Sequence, residues 1–524
     1  MSDGAEKSSG EAQKESSSKP WRLAGLTVLM IFSETVYVLL LQLNAINGWR
    51  PVLTFWIEMA ALFALYSLAI LLVNRLVDGK ATLLIIFVGA VLFRVTLLPA
   101  GIPFDYTASE KIDAIRSDIS GTEVTYERFQ LFDNDVWRYV WDGHVAAHGI
   151  NPFLYAPTDA RLDAVGGDIA EMEEVEDEDS IPAPVAVAKS VDLTDGREIW
   201  PDIRDDVNHA DVTTIYPPFA QFVFRLSHAI APGSIFVMKA LLVFCELIGV
   251  LFLALTLRRL ELPVTAVIFY AWNPLMIKVF AGSGHADAIL VAALSATIYF
   301  IVSGWKTFGA AAFGLAILAK LSPILLIPFV VRRVGWQRSL LVAGVIFVGY
   351  LPFLDAGSNL FAGFLKFARE WQFNAGPFSV VRWFAALATN DSANLARQVC
   401  AALILAVAGY LTWRDDLSER TFVRSSAIVL GAAIILSPTV MPWYLSWVLP
   451  LAILARHYIW LYFSAIVLTA FHIMIDTTEY AVVLWIEYGL LAFILFCWLN
   501  WRHRNNLNAG LDSAVPASAR FSFW

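Results

Sequence analysis

"LAGLTVLMIFSETVYVLLLQL", residues 23–43, carries a single charged side chain, Glu34. An α-helix rises about 1.5 Å per residue, so this stretch alone spans a hydrocarbon core of roughly 30 Å. Comparable runs recur at 53–73, 82–99, 235–257, 264–281, 286–303, 308–333, 338–354, 396–413, 425–455, 458–475 and 480–500. Across the 524 residues, 58% are hydrophobic and 16% charged, with mean hydropathy +0.62. That balance points to lipid as the main solvent. In lipid every backbone polar group must be satisfied within the chain, and helices do this. The expected fold is an all-α, polytopic integral membrane protein with about 11–13 transmembrane helices. Nineteen Trp suit the anchors that such a protein places at its interfaces.

Two runs are interrupted. "FGAAAFGLAILAKLSPILLIPFVVRR" (308–333) has Lys320 and Pro323 in its middle. The run at 425–455 has Pro438 and Pro442 in its middle. Proline removes a backbone donor and breaks a helix, so each run is expected to be a re-entrant pair of short helices. Charge gives the same answer. Arg75 and Lys80, Arg258 and Arg259, Lys306, Arg332, Arg333 and Arg338, Arg414, Arg420 and Arg424, Arg456, and Arg502 and Arg504 fall between or after spans. All of them lie on one side only if both broken runs return to the side they entered from. Both termini are then cytoplasmic.

This topology divides the chain into a polar, disordered tail (1–22), three spans (23–99), a long extracytoplasmic loop (100–234), the remaining bundle (235–500) and a second tail (501–524). The first run is too long for a secretion signal and lacks a small-residue cleavage site. From Asp159 to Asp211 there are 17 Asp/Glu against 4 Lys/Arg, whereas the whole chain has a net charge of only −9. The acidity therefore belongs to one insert, whose run "DIAEMEEVEDEDSIPAPVAVA" (168–188) is expected to be solvated and poorly ordered. Its acid spacing matches no calcium loop. The aromatics around Lys366, Arg369 and Arg382 suggest an interfacial amphipathic helix near 355–395. Cys245, Cys400 and Cys497 sit in apolar runs, so no disulfide is expected in the polar loop.

The chemistry-bearing residues collect just beyond the third span, in "FDNDVWRYVWDGHVAAHGINPF" (132–153). Asp133 and Asp135 can point at one site, as ligands for a divalent metal or with one of them as a general base. They can equally cap the helix that follows. Arg138, three residues after Asp135, shares its helix face. Trp137 and Trp141 could stack on sugar faces, or anchor at an interface. Asp142, one turn after Arg138, is a further substrate-binding candidate. Downstream, "VNHADVTTIYPPFAQFVFRL" (207–226) contributes His209 and Tyr216 and leads back to the membrane. His285 and Asp287 form an i, i+2 pair in "GSGHADA", preferred as cavity-lining groups because no third metal ligand has convincing spacing. Lys278 and Lys320 lie at membrane depth, where a charge needs a partner or water. Arg94 is expected to snorkel, with a lipid phosphate as its alternative partner.

The order D-x-D-x-x-R-Y-x-W-D-G (133–143), G-x-N-P-F (149–153) and I-Y-P-P-F-A (215–220) resembles the GT-C multispanning glycosyltransferases. The nearest likeness is to the bacterial branch related to polyprenyl-phosphate-mannose-dependent mannosyltransferases. "WNPLMIKVFAGSGHADA" (272–288), "GLAILAKLSPILLIPFVVRR" (314–333) and "SPTVMPWYLSWVLPLAIL" (437–454) fit the same pattern. Lys278, where an acid would be expected, and the acidic insert depart from it. The resemblance implies transfer of a hexose, mannose first, from a polyprenyl-phosphate donor to a glycan or glycolipid hydroxyl, with inversion, on the outer face. It also implies a first outer-loop Asp, Asp133 or Asp135, as the base.

The charge that grows on the departing phosphate calls for cations, and Arg138, His209, His285 and Arg369 are the candidates. No cofactor is certain; a divalent metal at Asp133/Asp135 is possible chemistry for such a pair. Expected partners are the bilayer, the lipid-linked donor and the acceptor, and not nucleic acid. A transporter or flippase is the alternative reading. Broken helices favour it, but the chain has no visible repeat and its polar residues cluster outside mid-depth.

Overall fold

The computed structural model describes residues 19–41, 49–76, 79–103, 106–126, 133–159, 162, 197–475, 480–489 and 492. Most of both tails, the bulk of the acidic insert and Cys497 lie outside the described residues. Among those described there is no β-strand, and the chain is an all-α polytopic membrane protein. It divides into two compact units, one ending at Glu370 and one beginning at Trp371.

The first unit opens with α1 (Lys19–Leu40), α2 (Trp49–Val73) and α3 (Lys80–Leu97), which pack on one another. Then come α4 (Ala108–Ser120), α5 (Asp135–Ala147), α6 (Trp200–Asp205) and α7 (Pro218–Ile230). The long α8 (Ile235–Arg259) follows, then α9 (Ile268–Ala271), α10 (Pro274–Ile277) and a π-helical turn at Lys278–Gly282. The unit continues with α11 (Asp287–Val302), α12 (Lys306–Ala319), α13 (Ile327–Val334), α14 (Trp336–Tyr350) and α15 (Ala362–Glu370). The helices α8, α11, α12 and α14 pack in succession, and α5 lies against α7. In the second unit α16 (Gly376–Ala385) packs on α17 (Ser392–Trp413). There α19 (Leu449–Ala455) folds back along α18 (Glu419–Ile435).

Among the described residues six helices are long and apolar enough to cross a membrane, or seven if one bent pair is a single span. Leu53, Leu84, Phe244, Phe347 and Leu405 stand exposed on them. That outward apolar surface suits contact with lipid tails. Of the remaining expected spans, 286–303 is one shorter helix, 308–333 and 425–455 are broken, and 480–500 lies mostly outside the described residues.

Asn273-Pro274 bends Val264–Ala271 against Pro274–Gly282 by 56°. Pro274 has no N–H to lose at a first helical position, and the Asn273 side chain accepts from the N–H groups of Leu275 and Met276. The run at 308–333 breaks at Lys320, whose backbone is extended, before the 3-10 turn led by Ser322-Pro323. The run at 425–455 breaks between Ile435 and Pro442, and its second half returns along its first.

Two expectations are corrected. Arg94 does not snorkel. It is fully buried and makes a two-pronged pair with Glu246 of α8 (Nε to Oε2 2.5 Å, Nη2 to Oε1 2.7 Å) while donating to the Ala271 carbonyl. An arginine this deep in lipid-facing structure requires such a partner. The run at 264–281 is not one straight span but the pair bent at Asn273-Pro274. The acidic run at 168–188 lies outside the described residues; the far end of the insert, described from residue 197, folds as α6, with Trp200 and Ile203 buried.

Candidate active site

Asp135 is the first residue of α5, and the carboxylate of Asp133 accepts from its backbone N–H at 3.0 Å. Asn134, formally the cap, makes no side-chain capping bond, so Asp133 does that work. Around Asp135 three elements meet. From α5 itself, the Tyr139 hydroxyl lies 3.5 Å from Oδ2. From the returning segment, Asn208 donates to Oδ1 at 3.4 Å. From the turn after the π-helical stretch, His285 Nδ1 lies 3.6 Å from Oδ2, with the imidazole fully buried and Asp135 partly exposed.

The same turn is tied down twice more. The Ala286 N–H donates to the Tyr139 hydroxyl at 3.4 Å. Lys320, at the break after α12, pairs with Asp287 at 2.8 Å, and Lys320 remains 24% exposed while Asp287 is 2% exposed. The interrupted helix therefore serves the site: its break carries a lysine to within reach of the His285 turn. Lys278, from the π-helical stretch, donates to Ser283 at 3.3 Å and its charge acts on Asp133.

The electrostatics separate the two acids. Burial, then the neighbouring charge of Asp135, raises the Asp133 carboxyl to about 6. Burial also works against ionised Asp135, but the hydrogen bond and charge of His285, the Asn208 amide and the Lys320 charge outweigh it. Asp135 is held below the ordinary carboxylate range. One acid stays ionised while its neighbour takes up a proton near pH 6, a division of labour typical of paired carboxylates. Burial keeps the Tyr216 hydroxyl protonated, and its ring meets that of Tyr139 edge-on at 4.9 Å.

The structure thus gathers Asp133, Asp135, Tyr216, His285 and Asp287, and adds Tyr139, Asn208 and Lys320. Tyr139 was legible as the residue one helical turn after Asp135. Asn208 precedes the expected His209 by one position, and it is Asn208 that reaches Asp135; His209 is exposed, at φ 50°, beside Asp211.

Other expected residues do different work. Arg138 and Asp142 form a buried pair at 2.7 Å. Arg138 also donates to the Val212 carbonyl, and Thr214 and Gln221 donate to Asp142 at 2.5 and 3.0 Å. The pair clamps the returning segment onto α5 through Nε and Nη1 of Arg138. Trp137 and Trp141 are buried at 2% and 5% exposure, so their ring faces are covered by protein and not offered to a sugar. Arg369 is exposed on α15, a helix fastened to the returning segment by Lys366–Asp211 at 2.7 Å.

A cavity of about 880 Å³ opens beside the other end of α5, lined by residues such as Asn151, Phe219, Arg225, Leu318 and Phe353. None of the residues around Asp135 lines it, so this cavity and the acid site are separate. As a metal site the acid pair fits poorly. Among the described residues the acid pair does not gather three ligand atoms around one point, so it supplies few ligands for an ion.

Comparison with known proteins finds matches to mannosyltransferases. Residues 204–335 match the family model described as Alpha-(1->6)-mannopyranosyltransferase, N-terminal domain, and residues 375–502 match the MptB C-terminal domain. The first match holds Asn208, His285, Asp287 and Lys320; Asp133 and Asp135 precede it. The chain is 24% identical over 364 residues to Alpha-(1->6)-mannopyranosyltransferase A of Mycobacterium tuberculosis, covering 62% of this chain and 61% of that relative. It therefore spans less than two thirds of the length of the curated relative it matches. No solved structure matches. With an all-α membrane fold, both family domains in order and this relative, the chain is a GT-C mannosyltransferase-like membrane protein.

Proposed function

We propose that the protein transfers mannose from a polyprenyl-phosphate donor to a glycan or glycolipid hydroxyl, forming an α-(1->6) bond on the extracytoplasmic face of the plasma membrane, with both termini cytoplasmic. The observation that carries this reading is the convergence of the ionised Asp135, held by Asn208 and His285, with the Lys320–Asp287 pair. The relative's printed activity supplies the sugar and linkage.

Asp135 is the base. As the acceptor oxygen attacks C1 of mannose, its proton passes to Asp135, the C1–O bond to phosphate breaks, and the electron pair leaves with the lipid phosphate. Inversion that yields an α-linkage requires a β-linked donor. Negative charge grows on the departing phosphate, and Lys320, partly exposed and anchored by Asp287, is the cation that meets it. Asp133 acts through Asp135 by fixing the start of α5. No step is routed through a metal at the acid pair.

The test is transfer of labelled mannose from a synthetic β-linked polyprenyl-phosphate donor by the full chain in detergent. Asp135→Asn should abolish transfer while the protein elutes and melts as the unaltered chain does. Full activity in that variant would remove the base, and transport of the donor without transfer would favour a flippase.

A further inference from the structure

The C-terminal half of α5 holds a second cluster that the transfer reaction does not use. His144 and His148, one helical turn apart, share a face of α5, and His228 lies in the last turn of α7. Each can offer a ring nitrogen, and the three nitrogens lie within 4.8 Å of one another. Among the described residues this is the group of three or more such side chains that comes together in this way.

Three further observations make it a built arrangement. Gly143 brings the helices close, since a Cβ there would meet the Phe224 carbonyl oxygen of α7 at 2.4 Å. The Nδ1 of His148 lies 2.9 Å from the His144 carbonyl oxygen. A carbonyl accepts only, so Nδ1 carries the proton and Nε2 keeps its lone pair for a ligand. The indole of Trp200 stacks on His144 with 3.5 Å between ring centres and 15° between planes, which fixes the plane of that imidazole. His144 is fully buried, and His148 and His228 are partly exposed, so an ion and water can reach the open side.

We infer that His144, His148 and His228 form a binding site for one divalent transition-metal ion that staples α5 to α7. Neutral imidazoles without a carboxylate select zinc, cobalt, nickel or copper over calcium and magnesium. Zinc holds imidazole nitrogen at about 2.0–2.1 Å, so the three rings must draw together by roughly 1 Å. The two partly exposed rings can do so by rotation. A water completes the fourth position. Nine residues separate His144 from Asp135, about 13 Å along the helix axis. The metal therefore stays clear of the reacting atoms and acts on where α5 is held.

The experiment uses the full chain purified without a histidine tag, stripped with EDTA and titrated with cobalt(II) alone, then with zinc(II) alone. The expected result is one ion per chain, visible cobalt d–d absorption, and a melting temperature that rises with zinc. His148→Gln and His228→Gln, both at partly exposed positions, should each weaken zinc at least ~100-fold and cancel the rise in melting temperature, while the stripped variants melt like the stripped parent. Asp135→Asn should bind metal as the parent does. Absence of stoichiometric binding by the parent overturns the site. So does binding unchanged in both histidine variants, which would mean an adventitious ion only, and so does loss of binding in Asp135→Asn, which would place the ion at the acid pair.

Discussion

His285 Nδ1 stands 3.6 Å from Asp135 Oδ2, which joins the turn between a π-helical stretch and α11 to the first residue of α5. This contact is a principal reason that Asp135 ionises below the ordinary carboxylate range. Replacing His285 by Gln removes the imidazole beside Asp135 and keeps a polar side chain. The Asp135 carboxyl should then titrate at higher pH. Because the base must be ionised, the acid limb of the pH–rate profile should move to higher pH. The rate at neutral pH should fall about 10–100-fold. A profile that keeps its acid limb in place would dissociate His285 from the base.

Asp133 gives the opposite sign. Its folded-state carboxyl sits at about 6 against an ordinary 3.8, so the fold favours the protonated form. The associated stabilisation is complete below 3.8 and is lost as pH rises through about 6. Asp133→Asn cannot ionise and still offers an oxygen to the Asp135 N–H. At pH 8 it should be more stable than the parent by roughly 1–2 kcal/mol, and at pH 4 the gain should vanish. Melting curves across that range are the measurement, and parallel curves would contradict the buried-carboxyl account.

A buried acid outside the membrane spans tests the frame of the site. Asp118 accepts from the N–H groups of Ile235 and Phe236 and from the Ser234 hydroxyl, so α4 caps α8. Burial raises its carboxyl to about 6. Asp118→Ala should cost about 1–2 kcal/mol, as lost helix caps do. Asp118→Asn should cost less, because it keeps one acceptor. Equal losses for both would mean that volume, not capping, matters there.

How much of this was legible in the sequence follows from range. The breaks in 308–333 and 425–455 were readable because proline acts on its own neighbours, and Pro323 and Pro442 each stand at the start of a turn; the bend at Pro274, in a run that reads as one span, was not. The acid pair was readable because both members lie in one turn. The partners were not. Asn208 and Lys320 reach the site across long sequence separations, and nothing local marks Asn208 over His209 as the residue that arrives. Arg138 and Asp142 looked like ligands for the same reason that they are structural. A buried i, i+4 ion pair and a binding pair have the same sequence. Only the carbonyl of Val212 and the side chains of Thr214 and Gln221 around them decide which it is.

Arg94 and Glu246 make a prediction about folding alone. Both side chains are fully buried and the pair is two-pronged. Glu246→Leu leaves a buried guanidinium without its carboxylate and should cost about 3–5 kcal/mol. The double variant Arg94→Met with Glu246→Leu removes both charges and should recover most of that loss. Thermal melting of the single and double variants in detergent measures the coupling. Additive losses would show that the two side chains act independently.

Lys320 separates catalysis from architecture. Its break in the helical run places it on Asp287, and it keeps more exposure than its partner. If it meets the departing phosphate, Lys320→Met should lower kcat about 100-fold or more, the scale seen when a transition-state donor is removed. The melting temperature should drop only modestly, because Lys320 is partly exposed. Lys320→Arg keeps the charge and should restore part of kcat. Asp287→Asn should spare the cation but loosen its anchor, so kcat falls less than in Lys320→Met while KM changes little. A structural lysine would behave otherwise: Lys320→Met and Asp287→Asn would lower stability together, and Lys320→Arg would rescue melting without rescuing turnover.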